Sequence, residues 1–235
     1  MGHEEFSYIG KGIYSMKEAS MLTGVKWAKV RHWVRGDKRT EAGTRTPVGP
    51  VIKPDFGKID NVYLLSFLDM IEVLMIEQFL TQGISLQSVR KAHRMAMGLF
   101  NTNHPFALRK FWSDGRHILA DVGSETKDPG LLNLKESQYE IRPVTLMFSK
   151  AIEVTADDVV RSYWPLSIDD FIVIDPNRCY GQPIVAKEGV PTIVLATAVR
   201  AEQSIDKVSL WYEVAPSAVK SAYNYELNIT KRLAA

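Results

Sequence analysis

Apolar residues recur at helical spacing along the first hundred positions, and the residues between them supply start and stop signals. Ser15 followed by Glu18 forms a capping box, in which hydroxyl and carboxylate each satisfy a backbone N–H at a helix start. It predicts a helix from about Met16, with Ala19 and Leu22 inward and a break at Thr23-Gly24-Val25. A second periodicity runs through Val30, Trp33 and Val34 to Gly36. Two short helices joined by a glycine-containing turn predict a helix-turn-helix. The clusters Thr46-Pro47-Val48-Gly49-Pro50 and Pro54-Asp55-Phe56-Gly57 read as turns, and Val51-Ile52 and Val62-Tyr63-Leu64 as short strands that pair into a wing. Ser66 then caps a helix through Phe67, Ile71, Leu74, Met75 and Phe79 that stops at Gln82-Gly83. Ser85 opens another through Leu86, Val89, Ala92, Ala96 and Met97, which ends at Asn103-His104-Pro105.

The pattern is weaker over residues 106–170. Arg116 to Val122, Leu131 to Leu134, Arg142 to Met147 and Ile152 to Val154 read as strands, with a loop from Gly123 to Gly130. Regularity returns with strands at Phe171–Ile174 and Pro183–Val185. Three helices follow: one led by Thr192 through Leu195 and Val199, one capped by Ser204 through Val208, Leu210 and Trp211, and one with Pro216 in its first turn through Val219, Ala222, Tyr223 and Leu227. The expected fold class is mainly α (α+β): a winged helix-turn-helix over 12–103, a small α+β connecting region over 104–169, and a trihelical domain over 170–230.

The net charge of +2 conceals an asymmetry. Residues 1–120 hold 17 Lys+Arg against 11 Asp+Glu, whereas residues 121–235 hold 12 against 16. The excess is concentrated in residues 26–58, with nine bases and three acids. Bases gathered on one face release counterions on meeting phosphates, so a polyanion is the expected partner. The candidate contacts on the second helix are Lys26, Trp27, Lys29, Arg31, His32 and Arg35, and those on the wing are Lys38, Arg39, Arg45, Lys53 and Lys58. The bland alternative is a solvated basic face on an ordinary helical hairpin.

No enzyme signature appears: the chain has no glycine-rich phosphate loop, no Gly-x-Ser-x-Gly elbow and no His-x-x-x-His or Cys-x-x-Cys pair. The adjacent acids Asp157 and Asp158 lack a catalytic companion in the local sequence. The five histidines lack ligand spacing, and Cys179 is the lone cysteine, so no catalytic residue, metal site or cofactor is expected. The apolar stretch Leu64 to Leu80 is interrupted by Asp69, Glu72 and Glu77, so no membrane span is expected; with no leader evident, the expected location is the cytoplasm.

Tyr14, Glu18, Ala19, Leu22, Thr23-Gly24-Val25, Val30-Arg31, Trp33 and the Leu80–Ser85 step give residues 12–100 an order of parts that resembles the MerR class of winged-helix regulators. Two departures stand out: Pro105 interrupts the place of that family's long dimerisation helix, and the paired cysteines of its metal sensors are missing. Residues 170–228, through Asp175-Pro176, Cys179 to Val185, Val190-Pro191-Thr192, Glu202 to Ile205 and Trp211-Tyr212, resemble a small bacterial domain family of unknown molecular function often found in antitoxins. Joined at this length, the two halves resemble a VapB-type antitoxin paired with a PIN-domain ribonuclease toxin. That resemblance implies a homodimer that docks on operator DNA beside its own gene and neutralises the toxin. An antitoxin of this kind commonly blocks the nuclease's carboxylates with a basic residue, for which Arg200, Lys231 and Arg232 are the candidates. The alternative is a stand-alone MerR-like regulator that binds a small effector in the middle region.

Overall fold

The computed structural model describes residues 10–41, 44–114, 116–128, 150–168 and 170–234. The fold is mainly α, with small antiparallel sheets. It divides into two compact units, one of residues 14–149 with 154–160 and one of residues 1–13, 150–153 and 161–235.

The first unit begins with β1 (Tyr14–Ser15) and α1 (Met16–Thr23), where the Ser15–Glu18 capping box is formed in full. Gly24 ends α1 in the left-handed region, and α2 (Trp27–Arg35) follows with Val30, Trp33 and Val34 buried. Strands β2 (Asp37–Glu41) and β3 (Thr44–Val48) pair antiparallel, from Asp37 opposite Val48 to Glu41 opposite Thr44. Next come β4 (Lys58–Ile59) and β5 (Val62–Leu65), which with β1 form a sheet in the order β1-β5-β4. Helix α3 (Phe67–Thr81) is buried nearly all round, as its run of Met70, Ile71, Val73, Leu74, Met75 and Ile76 requires of a central core helix. Helix α4 (Leu86–Phe100) starts on Ser85 and ends at Asn101 in the left-handed region.

The wing differs from the expected one. Thr44–Val48 is a strand although it contains Pro47; in a two-stranded ribbon each strand has a free edge, so the missing N–H need cost no ladder bond. Val51 and Ile52 form no strand, because their N–H groups both donate to the Trp33 carbonyl at 2.7 and 3.1 Å and satisfy the end of α2. A second difference lies beyond α4. After the 3-10 turn Pro105–Ala107 come α5 (Arg109–Asp114) and α6 (Arg116–Thr126), so Arg116–Val122 is helical where a strand was expected, and the helix takes up the first part of the expected Gly123–Gly130 loop. Ile118, Leu119 and Val122 are buried at one-face helical spacing, and α6 packs on α4. The expected strands at 131–134 and 142–147 lie outside the described residues.

Buried charge is concentrated around α3. Asp69 is the acid of a second capping box, its Oδ2 accepting from Ser66 N at 2.8 Å and Asp55 N at 3.0 Å. His104 lies between two carboxylates, with Nε2 2.9 Å from Asp55 Oδ1 and Nδ1 3.7 Å from Asp69 Oδ1. One helical turn on, Glu72 accepts from Phe106 N at 2.8 Å and lies 2.9 Å from His93 Nε2. Burial pushes the Asp69 carboxyl up to about 6, against the opposing pull of the His104 charge and of N–H donation from Ser66 and Asp55. Burial pulls His104 down, but the hydrogen bond to Asp55 and the charges of Asp69, Glu72 and Asp55 outweigh it and leave the imidazole above its usual value.

Strands β6 (Ile152–Val154), β7 (Val160–Tyr163), β8 (Ile172–Ile174) and β9 (Pro183–Val185) form a sheet in that order, and all of it but Val154 and Val160 belongs to the second unit. Helices α7 (Thr192–Glu202), α8 (Ile205–Tyr212) and α9 (Pro216–Ala234) follow. Their core is Ile172, Ile174, Ile184, Leu195, Val208, Val219 and Ala222, and Thr192 ties α7 to α9 by donating to Glu226. Leu210 and Trp211 depart from the expected inward run: only Val208 is buried on the short α8, while Leu210 is 77% and Trp211 61% exposed.

Candidate nucleic-acid interface

The apolar stripe of α2 turns inward and leaves Lys26, Trp27, Ala28, Arg31 and Arg35 exposed. Lys26 supplies no capping oxygen, so the first-turn N–H groups of α2 have no side-chain acceptor. The partial positive charge there adds to that of the side chains, a combination suited to an anion. Two guanidinium groups are stacked on rings: Arg31 stands 5.6 Å from the centroid of Trp27, and Arg35 stands 5.6 Å from that of Tyr63. Such stacking restricts the rotamers of a long side chain while its N–H donors stay outward. Trp27, 47% exposed, is therefore a platform and not a core residue.

The hairpin β2–β3 is fastened to the end of α2. Gly36 joins the two at φ +73°, and an added Cβ would stand 2.4 Å from the Val48 carbonyl oxygen, so a side chain at this position collides with the returning strand. His32 Nδ1 lies 3.1 Å from Asp37 Oδ2 and its Nε2 lies 3.5 Å from Arg90 Nη2, while Arg90 donates to the Gly49 carbonyl. Burial and the neighbouring Arg94 both pull the Arg90 guanidinium below its usual value.

These contacts sort the candidate residues. Lys26, Trp27, Arg31 and Arg35 share the open face of α2. Lys29 is committed elsewhere, with Nζ 2.7 and 2.9 Å from the two carboxylate oxygens of Glu77 on α3. His32 is turned to the wing root. Lys38, Arg39 and Arg45 lie on β2 and β3, whereas Lys53 and Lys58 stand outside that hairpin, exposed in the following loop and on β4. Arg200 is exposed on α7, Lys231 is exposed near the end of α9, and Arg232 follows it on the same helix. The local sequence marks Gly36 as a helix stop and nothing more, and no local signal marks Arg90 as the residue that holds Gly49.

Residues 172–225 match the model of a family described as a protein of unknown function (DUF433). Over 220 residues, which make up 89% of this chain and 92% of the relative, the sequence is 24% identical to a Mycobacterium tuberculosis protein named "Putative antitoxin VapB45". The crystal structure of Rv2018 from Mycobacterium tuberculosis has a similar fold, with a TM-score of 0.67 at 20% identity over 89% of this chain and 96% of that one. The two sequence similarities support an antitoxin-like protein, and the crystal structure shows the fold. No described helix is long and apolar enough to cross a membrane.

Proposed function

We propose that this protein is the DNA-binding antitoxin of a type II toxin–antitoxin pair, and that it neutralises a PIN-domain ribonuclease and represses its own operon as a homodimer. The observation that carries this reading is the similarity, over 89% of the chain, to the protein named "Putative antitoxin VapB45". In the first unit, α1, α2 and the β2–β3 hairpin act as a winged helix-turn-helix, with α2 in the major groove. Lys26, Arg31 and Arg35 contact phosphates and base edges there. The hairpin, held at the right angle by Gly36, His32 and Arg90, carries Lys38, Arg39 and Arg45 to the flanking backbone. Lys29 contributes little, because Glu77 already neutralises it.

The second unit holds the toxin. Its exposed Leu210 and Trp211 suit the buried centre of a protein contact, where tryptophan is over-represented, and Arg200 or Lys231 supplies the charge that meets a carboxylate-lined nuclease centre. The test is co-expression with the product of the adjacent short reading frame, followed by purification of the pair and assay of ribonuclease activity. Recovery of a stoichiometric, inactive complex supports the reading. A neighbour that neither binds this protein nor loses activity in its presence overturns it.

A further inference from the structure

We infer that the first unit contains a binding site for a divalent transition-metal ion, built from Asp55, Asp69 and His104. The inference is independent of the antitoxin reading. One ligand-type atom from each of these residues can be chosen so that all three lie within 4.8 Å of one another. They come from three separate segments: the loop after the β2–β3 hairpin, the first turn of α3, and the segment that follows α4. An imidazole and two carboxylates form a mixed nitrogen and oxygen set suited to Zn²⁺ or Mn²⁺, whereas Mg²⁺ and Ca²⁺ prefer oxygen alone.

A further observation points to a cation. Asp69 Oδ1 and His104 Nδ1 face each other at 3.7 Å, too far apart for a hydrogen bond, and neither has another hydrogen-bond partner. The Asp69 side chain is fully buried and that of His104 is 9% exposed, so two polar atoms face each other without a hydrogen bond where water does not reach them. An ion held by Asp69 Oδ1, one His104 nitrogen and an Asp55 oxygen would give these atoms a partner. Asp55, with 25% of its side chain exposed, provides the route in from solvent. The bound ion would tie the loop that carries Asp55 to the first turn of α3 and to the segment after α4.

The test uses the full chain, stripped with a chelator and titrated calorimetrically with Zn²⁺, with metal content and thermal unfolding followed in parallel. The expected result is about one ion per chain and a Tm that rises with Zn²⁺ but not with Mg²⁺. Binding should weaken at least tenfold in His104→Gln and in the more tolerant Asp55→Asn, whose fold is checked by circular dichroism. It should be retained in Cys179→Ser, which removes the exposed thiol as an adventitious ligand. No binding by the folded chain, or equal binding by the Asp55→Asn variant and the wild type, would overturn the site.

Discussion

Each basic residue of α2 has a different employment, and the difference is measurable. Arg31 and Arg35 are exposed and stacked on Trp27 and Tyr63, while Lys29 is bound to Glu77. Replacing Arg31 and Arg35 together by alanine should lower operator affinity by roughly tenfold or more and make the salt dependence shallower by up to about two charges, since a base contact is worth about 1–3 kcal/mol and a phosphate contact about one unit of salt slope. Lys29→Met should leave the affinity within about twofold, because its charge is already matched inside the unit. Fluorescence anisotropy with a labelled duplex measures both variants, and an equal loss in the two would contradict the division of roles. The partnership that sets Lys29 apart joins residues 48 positions apart, so no spacing rule could have found it.

At the scale of elements, the angle between α2 and the hairpin rests on Gly36. Gly36→Ala should cost about 1–3 kcal/mol of stability, because the new methyl group meets backbone atoms of Val48 and Gly49 while φ stays positive. It should also weaken DNA binding at temperatures where the variant is folded. Gly49→Ala, where an added Cβ meets nothing within 4 Å, should change either property little, and thermal unfolding beside anisotropy checks the pair. Elements set by local chemistry were legible in the sequence: the capping boxes at Ser15 and Ser66, the Ser85 and Ser204 starts and the Gly24 stop each decide a helix end within a few residues. Elements decided by distant partners were not. Val51 and Ile52 look like a strand, yet the Trp33 carbonyl takes their N–H groups. Ile118, Leu119 and Val122 have strand-forming composition but helical spacing, and packing on α4 favours the helix. The cluster of Asp55, Asp69 and His104 was illegible for the same reason, since Asp55 and His104 lie 49 residues apart.

Across the whole molecule, the basic and acidic halves of the sequence suit the proposed division of labour between the two units. Operator and toxin contacts should therefore be separable by mutation. Leu210→Ala with Trp211→Ala should weaken the toxin complex at least tenfold and leave operator affinity unchanged, whereas Arg31→Ala with Arg35→Ala should do the reverse; co-purification and anisotropy on the same two variants check this. Most direct is the titration of the purified protein against a labelled duplex from immediately upstream of its gene and against a scrambled duplex, each at two salt concentrations. The expected result is tight binding to the upstream duplex that weakens as salt rises, with much weaker binding to the scrambled one. Equal affinity for the two duplexes, or none for either, would contradict the assignment of α2 as a reader of operator DNA.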